Sequence, residues 1–403
     1  MAIGAFICGC RSPALTQDEI AFLRESDPWG FILFKRNIES PDQVRALTEH
    51  FRSIVGRNAP VLVDQEGGRV QRLGPPHWPR YPAARHFGAL YAADRLSGIA
   101  ATRWAARLIA DDLIRVGITV DCLPVGDVPQ AGSHDVIGDR AYASEPEPVA
   151  LLARAAMTGL MDGGVLPVVK HIPGHGRAHA DSHLSLPVVE ASREDLERTD
   201  FVPFAALADA PMAMTAHVVY SSLDPDQPAT LSAVVIGRAI RDDIGFSGLL
   251  MSDDLSMKAL SGSLGERARK AIAAGCDVAL HCNGDLAEMH TGGKRVPGVA
   301  PAAMQSGPRA ANNILRLIEH RSTVPFRYRN KGDLATIGRH RAIAQLPSFR
   351  MWGYPAWWFW LFLHIMYLAG FRNRLSVLIE WGYSYFTYER GARLIAGGKG
   401  LNR

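Results

Sequence analysis

No glycine-rich phosphate loop, of either the G-x-G-x-x-G or the Walker kind, occurs in this chain. The usual cradles for a dinucleotide or a nucleoside triphosphate are therefore missing. There is no H-E-x-x-H, the spacing that presents two zinc ligands from one helix face. The five cysteines (Cys8, Cys10, Cys122, Cys276 and Cys282) are odd in number and follow no zinc spacing. Reduced, buried thiols are expected. The opening MAIGAFICGCRSPALTQDE has no basic leader before its apolar run. It does not read as a secretory signal, so a cytoplasmic body is expected. Net charge is only +4, which gives no bulk affinity for polyanions, and no nucleic-acid partner is expected.

Acidic residues are scarce in one region only. From residue 321 onward 13 Lys and Arg stand against three acids, Asp333, Glu380 and Glu389, a balance of +10. The rest of the chain holds 31 bases and 37 acids, or −6. Five of the eight tryptophans also fall in that last fifth: Trp352, Trp357, Trp358, Trp360 and Trp381. It contains a long stretch free of Asp, Glu, Lys and Arg, WGYPAWWFWLFLHIMYLAGF at 352–371. A run of about 20 apolar residues can cross a bilayer. Gly353, Pro355 and His364 weaken that reading. The density of Trp and Tyr beside Arg350, Arg372 and Arg374 suits an interfacial anchor equally well. A buried core helix is the third reading. Residues 350–395 are thus the segment that could meet a membrane surface.

What the chain does have is alternation. Eight short, nearly continuous apolar runs are separated by amphipathic stretches: GAFICG (4–9), WGFILF (29–34), PVLVDQE (60–66), ITVDCLPVGDV (118–128), VLPVVKHIPG (165–174), AMTAHVVY (213–220), GLLMSDDL (248–255) and CDVALHCNG (276–284). Strands buried on both faces read this way. Ser40 before Pro41 marks a helix start. Eight βα units predict an α/β fold of the TIM (β/α)8 barrel kind, with an open doubly wound sheet as the alternative. The alternative would more often carry a phosphate loop. Asp64 and Glu66, Asp127, Lys170 and His171, His217, and Asp253 and Asp254 all fall at strand ends, where a barrel places its chemistry.

Each of these groups has a plain reading beside the chemical one. Adjacent strand residues face opposite ways, so only one of Asp253 and Asp254 is expected to face the barrel mouth. A strand-end aspartate is also a common helix cap. In VDQEGGRVQR (63–72), carboxylates and arginines beside Gly67-Gly68 suit recognition of a polyol, or form a structural ion-pair network. Arg140 in IGDRAYASEP is alone a surface arginine. In KHIPGHGRAHADSHLSLP (170–187), Asp181 and His183 are two apart in an extended loop. A carboxylate beside an imidazole orients it and favours its protonated form, which makes a general acid usable near neutral pH. His171, His175, His179 and His183 stand at four-residue intervals, which is ligand spacing on a helix. Pro173, Gly174 and Gly176 speak against a helix there, so no metal is expected.

At this point the residues resemble glycoside hydrolase family 3, and within it the bacterial β-N-acetylglucosaminidases of cell-wall recycling. KHIPGHG with DSHLSLP, VDQEGGRVQR, IGDRAYA, TAHVVY and GFSGLLMSDDLSMKA carry the resemblance, in order, over about residues 1–290. It implies a retaining exo-hydrolase acting on N-acetylglucosamine-containing saccharides such as muropeptides, with no cofactor. Asp253 matches the nucleophile, His183 the acid/base, and Asp181 the residue that orients His183. Asp254 is expected to be structural. Asp64, Arg72, Arg140, Lys170 and His171 match the residues that hold the terminal sugar.

The remainder, 291–403, is similar to the C-terminus of type II NADH:quinone oxidoreductases, which implies membrane association at the inner face. Gln305 matches a glutamine near the quinone there. Their dinucleotide-binding parts are missing, so FAD and NADH are not expected. The chain therefore reads as a barrel of residues 1–290 fused to a mostly helical membrane-associating tail. In it, 301–320 could pack where the barrel's own last helix would lie. The competing reading is a membrane-associated protein whose barrel is inactive.

Overall fold

A computed structural model describes residues 3–179, 185–290, 333–336, 342–345 and 350–367. They divide into two compact units, Met1–Gly298 and Val299–Arg403.

The first unit holds a closed barrel of eight parallel strands. They are β1 (Gly4–Cys8), β2 (Pro28–Leu33), β3 (Val61–Val63), β4 (Val120–Asp121), β5 (Leu166–Ile172), β6 (Met212–Thr215), β7 (Leu249–Asp254) and β8 (Val278–His281). Each pairs with its neighbours in sequence, and β8 closes on β1 with Phe6 opposite Ala279. The expected barrel is therefore present, and each of the eight apolar runs supplies one strand.

Alternation along the strands splits the apolar side chains into two layers. Ile7, Ile32, Leu62, Val120, Cys122, Val168, Met212, Met214, Met251, Val278 and Leu280 pack together inside the barrel. The intervening Cys8, Phe31, Leu33, Val61, Val63, Val169, Ala213 and Leu250 face outward. There they join Val44, Leu47, Phe51, Leu113 and Leu152 of the surrounding helices. All five cysteines are free and buried. Ser40 caps the helix Pro41–Val55, its side chain accepting from Gln43 N at 3.3 Å, with Pro41 in the first turn.

The run at 60–66 is shorter as a strand than the sequence suggested. After Val63 the chain leaves the barrel, and Gln65–Gly67 turns back against Val70–Gln71 as a hairpin. Gly67 and Gly68 take φ of 91° and 57°, the left-handed region that glycine enters without penalty. A Cβ on Gly67 would stand 2.4 Å from the carbonyl of Pro82. The hairpin therefore lifts Glu66 off the strand.

Of the second unit, 12 residues in three strands and 14 in one helix are described. Its described residues begin with a three-stranded antiparallel sheet, Asp333–Thr336, Ala342–Gln345 and Arg350–Gly353. The turn formers Gly338 and Pro347 separate these short segments, a pattern that favours hairpins over a helix. A helix follows at Tyr354–Tyr367, 14 residues long. Pro355 lies in its first turn, where proline's fixed φ and missing N–H suit a helix start. It begins the helix. Among the described residues no helix is long and apolar enough to cross a membrane. Gln305 and the segment 301–320 lie outside the described residues.

Candidate active site

The charged residues named from the sequence converge at the C-terminal end of the barrel. Lys170, near the end of β5, donates from Nζ to Asp64 Oδ1 at 2.9 Å and lies 2.6 Å from Glu66 Oε1. Arg140 grips Glu66 with two parallel bonds, Nε to Oε2 at 2.8 Å and Nη2 to Oε1 at 2.9 Å. Arg72 donates to Asp64 Oδ2 at 3.0 Å. Two carboxylates and three cations thus form one chain, Arg72–Asp64–Lys170–Glu66–Arg140. Bidentate guanidinium–carboxylate geometry is the strongest form of such pairing.

Burial would raise the carboxyls, but their partners prevail. Arg140 and Lys170 hold Glu66 down to about 2. Lys170 and Arg72 hold Asp64 below the usual carboxylate range. Burial would likewise strip the cations of charge, yet the carboxylates keep Lys170 and Arg140 protonated, with pKa values raised. Exposure within the chain is graded. The Lys170 side chain is 2% exposed and Glu66 4%, whereas Asp64 is 15% and Arg72 26% exposed. Asp64 and Arg72 are therefore the members offered to a ligand, with Lys170 and Glu66 behind them.

His171 is set by a different acid. Its Nδ1 lies 2.7 Å from Asp127 Oδ2, and the same carboxylate accepts from His175 N at 2.7 Å. Asp127 is fully buried, and His171 brings its carboxyl down to about 2 despite that burial. The turn that follows is tight. A Cβ on Gly176 would sit 2.1 Å from the Val128 carbonyl. Arg177 ties the turn to Asp200 at 2.6 Å. Asp181 and His183 lie outside the described residues. His179 is exposed, with Nδ1 3.0 Å from the Gly132 carbonyl. Among the described residues no three His, Cys, Asp or Glu converge to hold a metal.

Asp253 and Asp254 end β7 with different surroundings. Both Asp254 oxygens are committed to structure: Oδ1 accepts from Ser256 N at 3.0 Å and Cys282 N at 3.1 Å, and Oδ2 from Ser256 Oγ at 2.6 Å. Asp253 Oδ1 accepts from Asp254 N at 2.7 Å. Burial acts to raise Asp253, but His217, His171 and Lys170 leave it below its ordinary value. It is a carboxylate kept ionised at a barrel mouth.

Glu66, Asp127 and His217 were placed at strand ends from sequence; Asp127 and His217 were given no role there, and Glu66 was given one only with its stretch 63–72. Their roles come from partners far along the chain: Arg140 is 74 residues from Glu66, and His171 is 44 from Asp127.

A barrel mouth with one ionised carboxylate on β7, a buried carboxylate–cation chain and an acid-oriented imidazole fits sugar chemistry. The description "Glycosyl hydrolase family 3 N terminal domain" matches residues 12–317. The chain belongs to glycoside hydrolase family 3. It is a glycoside hydrolase of the β-N-acetylhexosaminidase type. A "Beta-hexosaminidase" of Alkalilimnicola ehrlichii is 42% identical over 289 residues, covering 70% of this chain and 82% of that protein. Another, of Thioalkalivibrio sulfidiphilus, is 42% identical over 290 residues, with coverage of 70% and 82%. Among solved structures, NagZ from Neisseria gonorrhoeae in complex with N-trifluoroacetyl-D-glucosamine is similar at a TM-score of 0.69. It is 32% identical and covers 81% of this chain and 92% of its own. The family 3 match runs past residue 290, the expected end of the resemblance. The "NDH2 C-terminal domain" matches residues 330–387, the tail that resembles the quinone oxidoreductases.

Proposed function

We propose that the body, residues 1–290, is a retaining exo-hydrolase. It removes a non-reducing terminal N-acetylglucosamine from peptidoglycan fragments in the cytoplasm. In the first step an Asp253 oxygen bonds to the anomeric carbon. The bond to the leaving oxygen breaks as His183, oriented by Asp181, gives that oxygen its proton. In the second step His183 takes a proton from water, the water oxygen bonds to the same carbon, and Asp253 is released as a carboxylate. The two inversions retain configuration. Asp64 and Arg72 are the groups exposed enough to meet sugar hydroxyls, and Lys170, Arg140 and His171 complete that wall. The likeness to a NagZ structure holding an N-acetylglucosamine analogue supports this substrate class. The tail, 291–403, adds membrane-surface contact through residues 350–395.

The observation that carries the reading is Asp253 at the end of β7, half-buried and held below its ordinary pKa. The experiment compares wild type with Asp253→Ala on p-nitrophenyl N-acetyl-β-glucosaminide. Nitrophenol release should fall about 10³-fold or more in the variant, the order expected when a covalent nucleophile is removed. A variant within tenfold of wild type overturns the assignment.

A further inference from the structure

The hairpin that lifts Glu66 carries an arginine that the proposed reaction does not use. Arg69 stands just past the Gly67–Gly68 turn. Its Nη2 donates to the carbonyls of three successive residues in the loop after β4: Asp135 at 2.5 Å, Val136 at 2.9 Å and Ile137 at 3.1 Å. Its Nε lies 3.0 Å from Asp139 Oδ1, and Nη1 lies 3.6 Å from Asp135 Oδ2. Three consecutive carbonyls meet at one atom only where the backbone curls round it. Gly138 completes the curl with φ of 45°, and a Cβ there would lie 2.4 Å from Asp135 Oδ1 and 2.9 Å from Arg69 Nη2. Two of the same carbonyls also hold Arg140. The Val136 carbonyl accepts from Arg140 Nη1 at 3.3 Å, and the Ile137 carbonyl from Arg140 N at 2.8 Å. Arg140 in turn grips Glu66. One hairpin thus holds this loop at two points: Glu66 on the Arg140 guanidinium, and Arg69 on the carbonyls that seat the same residue.

We propose that Arg69 is a positioning residue for Arg140. It acts through the Val136 and Ile137 carbonyls, and fixes the loop so that the Arg140 guanidinium keeps its place in the sugar-binding wall. The proposal rests on Arg140 belonging to that wall. A bidentate guanidinium–carboxylate pair demands a set orientation as well as a distance. Glu66 supplies the distance, and a second tether from the same hairpin supplies the orientation. The plain reading of Arg69 is a surface ion pair, and it covers less of the geometry. The Arg69 side chain is 41% exposed, with Asp135 at 85% and Asp139 at 39%. Pairs this exposed contribute little to stability. They do not account for three backbone carbonyls gathered on one nitrogen, two of which are shared with Arg140.

The test is steady-state hydrolysis of p-nitrophenyl N-acetyl-β-glucosaminide by the full chain, comparing Arg69→Ala, Arg69→Lys, Arg140→Ala and the double variant Arg69→Ala/Arg140→Ala. A displaced Arg140 weakens hold on the sugar, so Arg69→Ala should raise KM about tenfold while kcat changes less than about threefold. Its melting temperature should move by no more than about 2 °C, as loss of an exposed pair allows. Guanidinium ion at about 20 mM, too dilute to unfold the chain, should lower KM again in Arg69→Ala by occupying the carbonyl cradle. Lysine keeps the charge but has one nitrogen where arginine has three, so Arg69→Lys should raise KM about threefold. The double variant should show the KM of Arg140→Ala alone, because Arg69 acts through Arg140. A wild-type KM in either folded Arg69 variant, beside a raised KM in Arg140→Ala, overturns the proposal. So does a double variant in which the two effects multiply. An unchanged KM in Arg140→Ala overturns the sugar-wall assignment itself, and this proposal with it.

Discussion

Replacing Glu66 by glutamine isolates the charge at the centre of the buried chain. The side chain is 4% exposed and meets Lys170 at 2.6 Å and two guanidinium nitrogens of Arg140, Nε and Nη2. Glutamine keeps the shape but offers one acceptor oxygen and no charge, so Lys170 and Arg140 each lose a counter-ion. Breaking a buried pair on one side costs about 3–5 kcal/mol. The titration gives a second route to the magnitude. Glu66 stands at about 2 in the fold against an ordinary 4.5. That difference corresponds to about 3 kcal/mol at neutral pH. The two routes agree in order of magnitude. Because the folded value is depressed, this stabilisation is complete above pH 4.5 and is lost as pH falls towards 2. Urea unfolding followed by near-ultraviolet circular dichroism should therefore place Glu66→Gln about 3 kcal/mol below wild type at pH 7. At pH 3 the gap should be roughly half that. A gap under 0.5 kcal/mol at pH 7, or one equal at both pH values, would refute the reasoning.

Two further outcomes follow from the same geometry. Asp127→Asn keeps a side-chain acceptor for the His175 backbone N–H but removes the charge that fixes His171. It should lower kcat/KM about 10- to 100-fold, the size typical for loss of an orienting carboxylate, with the melting temperature shifted by only a few degrees. Unchanged kcat/KM would show that His171 needs no orienting acid. In the tail, Trp352, Trp358 and Phe362 are 75%, 53% and 61% exposed, and the sequence from 321 carries +10. The full chain should sediment with anionic vesicles at low salt and be released at about 0.5 M salt, which screens charges beyond a few ångströms. No sedimentation at low salt would remove the membrane role.

The barrel was legible because its signal is local. Strands buried on both faces must be apolar along their length, and eight runs such as WGFILF and GLLMSDDL stand out between polar helical faces. The positions of the acids were legible for the same reason, since each interrupts an apolar run at its end. The pairings were not. Lys170 and Asp64 are 106 residues apart, and nothing in either stretch names the other. Glu66 looked like one more strand-end acid because the hairpin that lifts it depends on backbone angles at Gly67 and Gly68. Arg69 was one of two arginines in its stretch, and the three carbonyls it gathers, 66 to 68 residues on, leave no mark in a pattern of side chains. In the tail, the aromatic run from 352 coincides with a helix, Tyr354–Tyr367, whereas the three strands before it, four residues each, are too brief for a pattern to stand out.

The charge chain also explains why the site depends on the closed barrel. Asp64 and Glu66 follow β3, Arg140 lies on the loop after β4, and Lys170 is part of β5. Lys170 therefore reaches past β4 to find its acids. Left in an open sheet, each of these groups would be solvated and would lose little by staying apart. Inside the closed barrel water is excluded, and every member needs its partner from another strand to remain charged. The more exposed links are Asp64 and Arg72, whose positions are set by the buried links behind them. On the proposed sugar-binding role, a substitution at Lys170 or Glu66 reaches the ligand through its support, and stability and binding should fall together there. At Arg72, the most exposed link, binding should fall with little loss of stability.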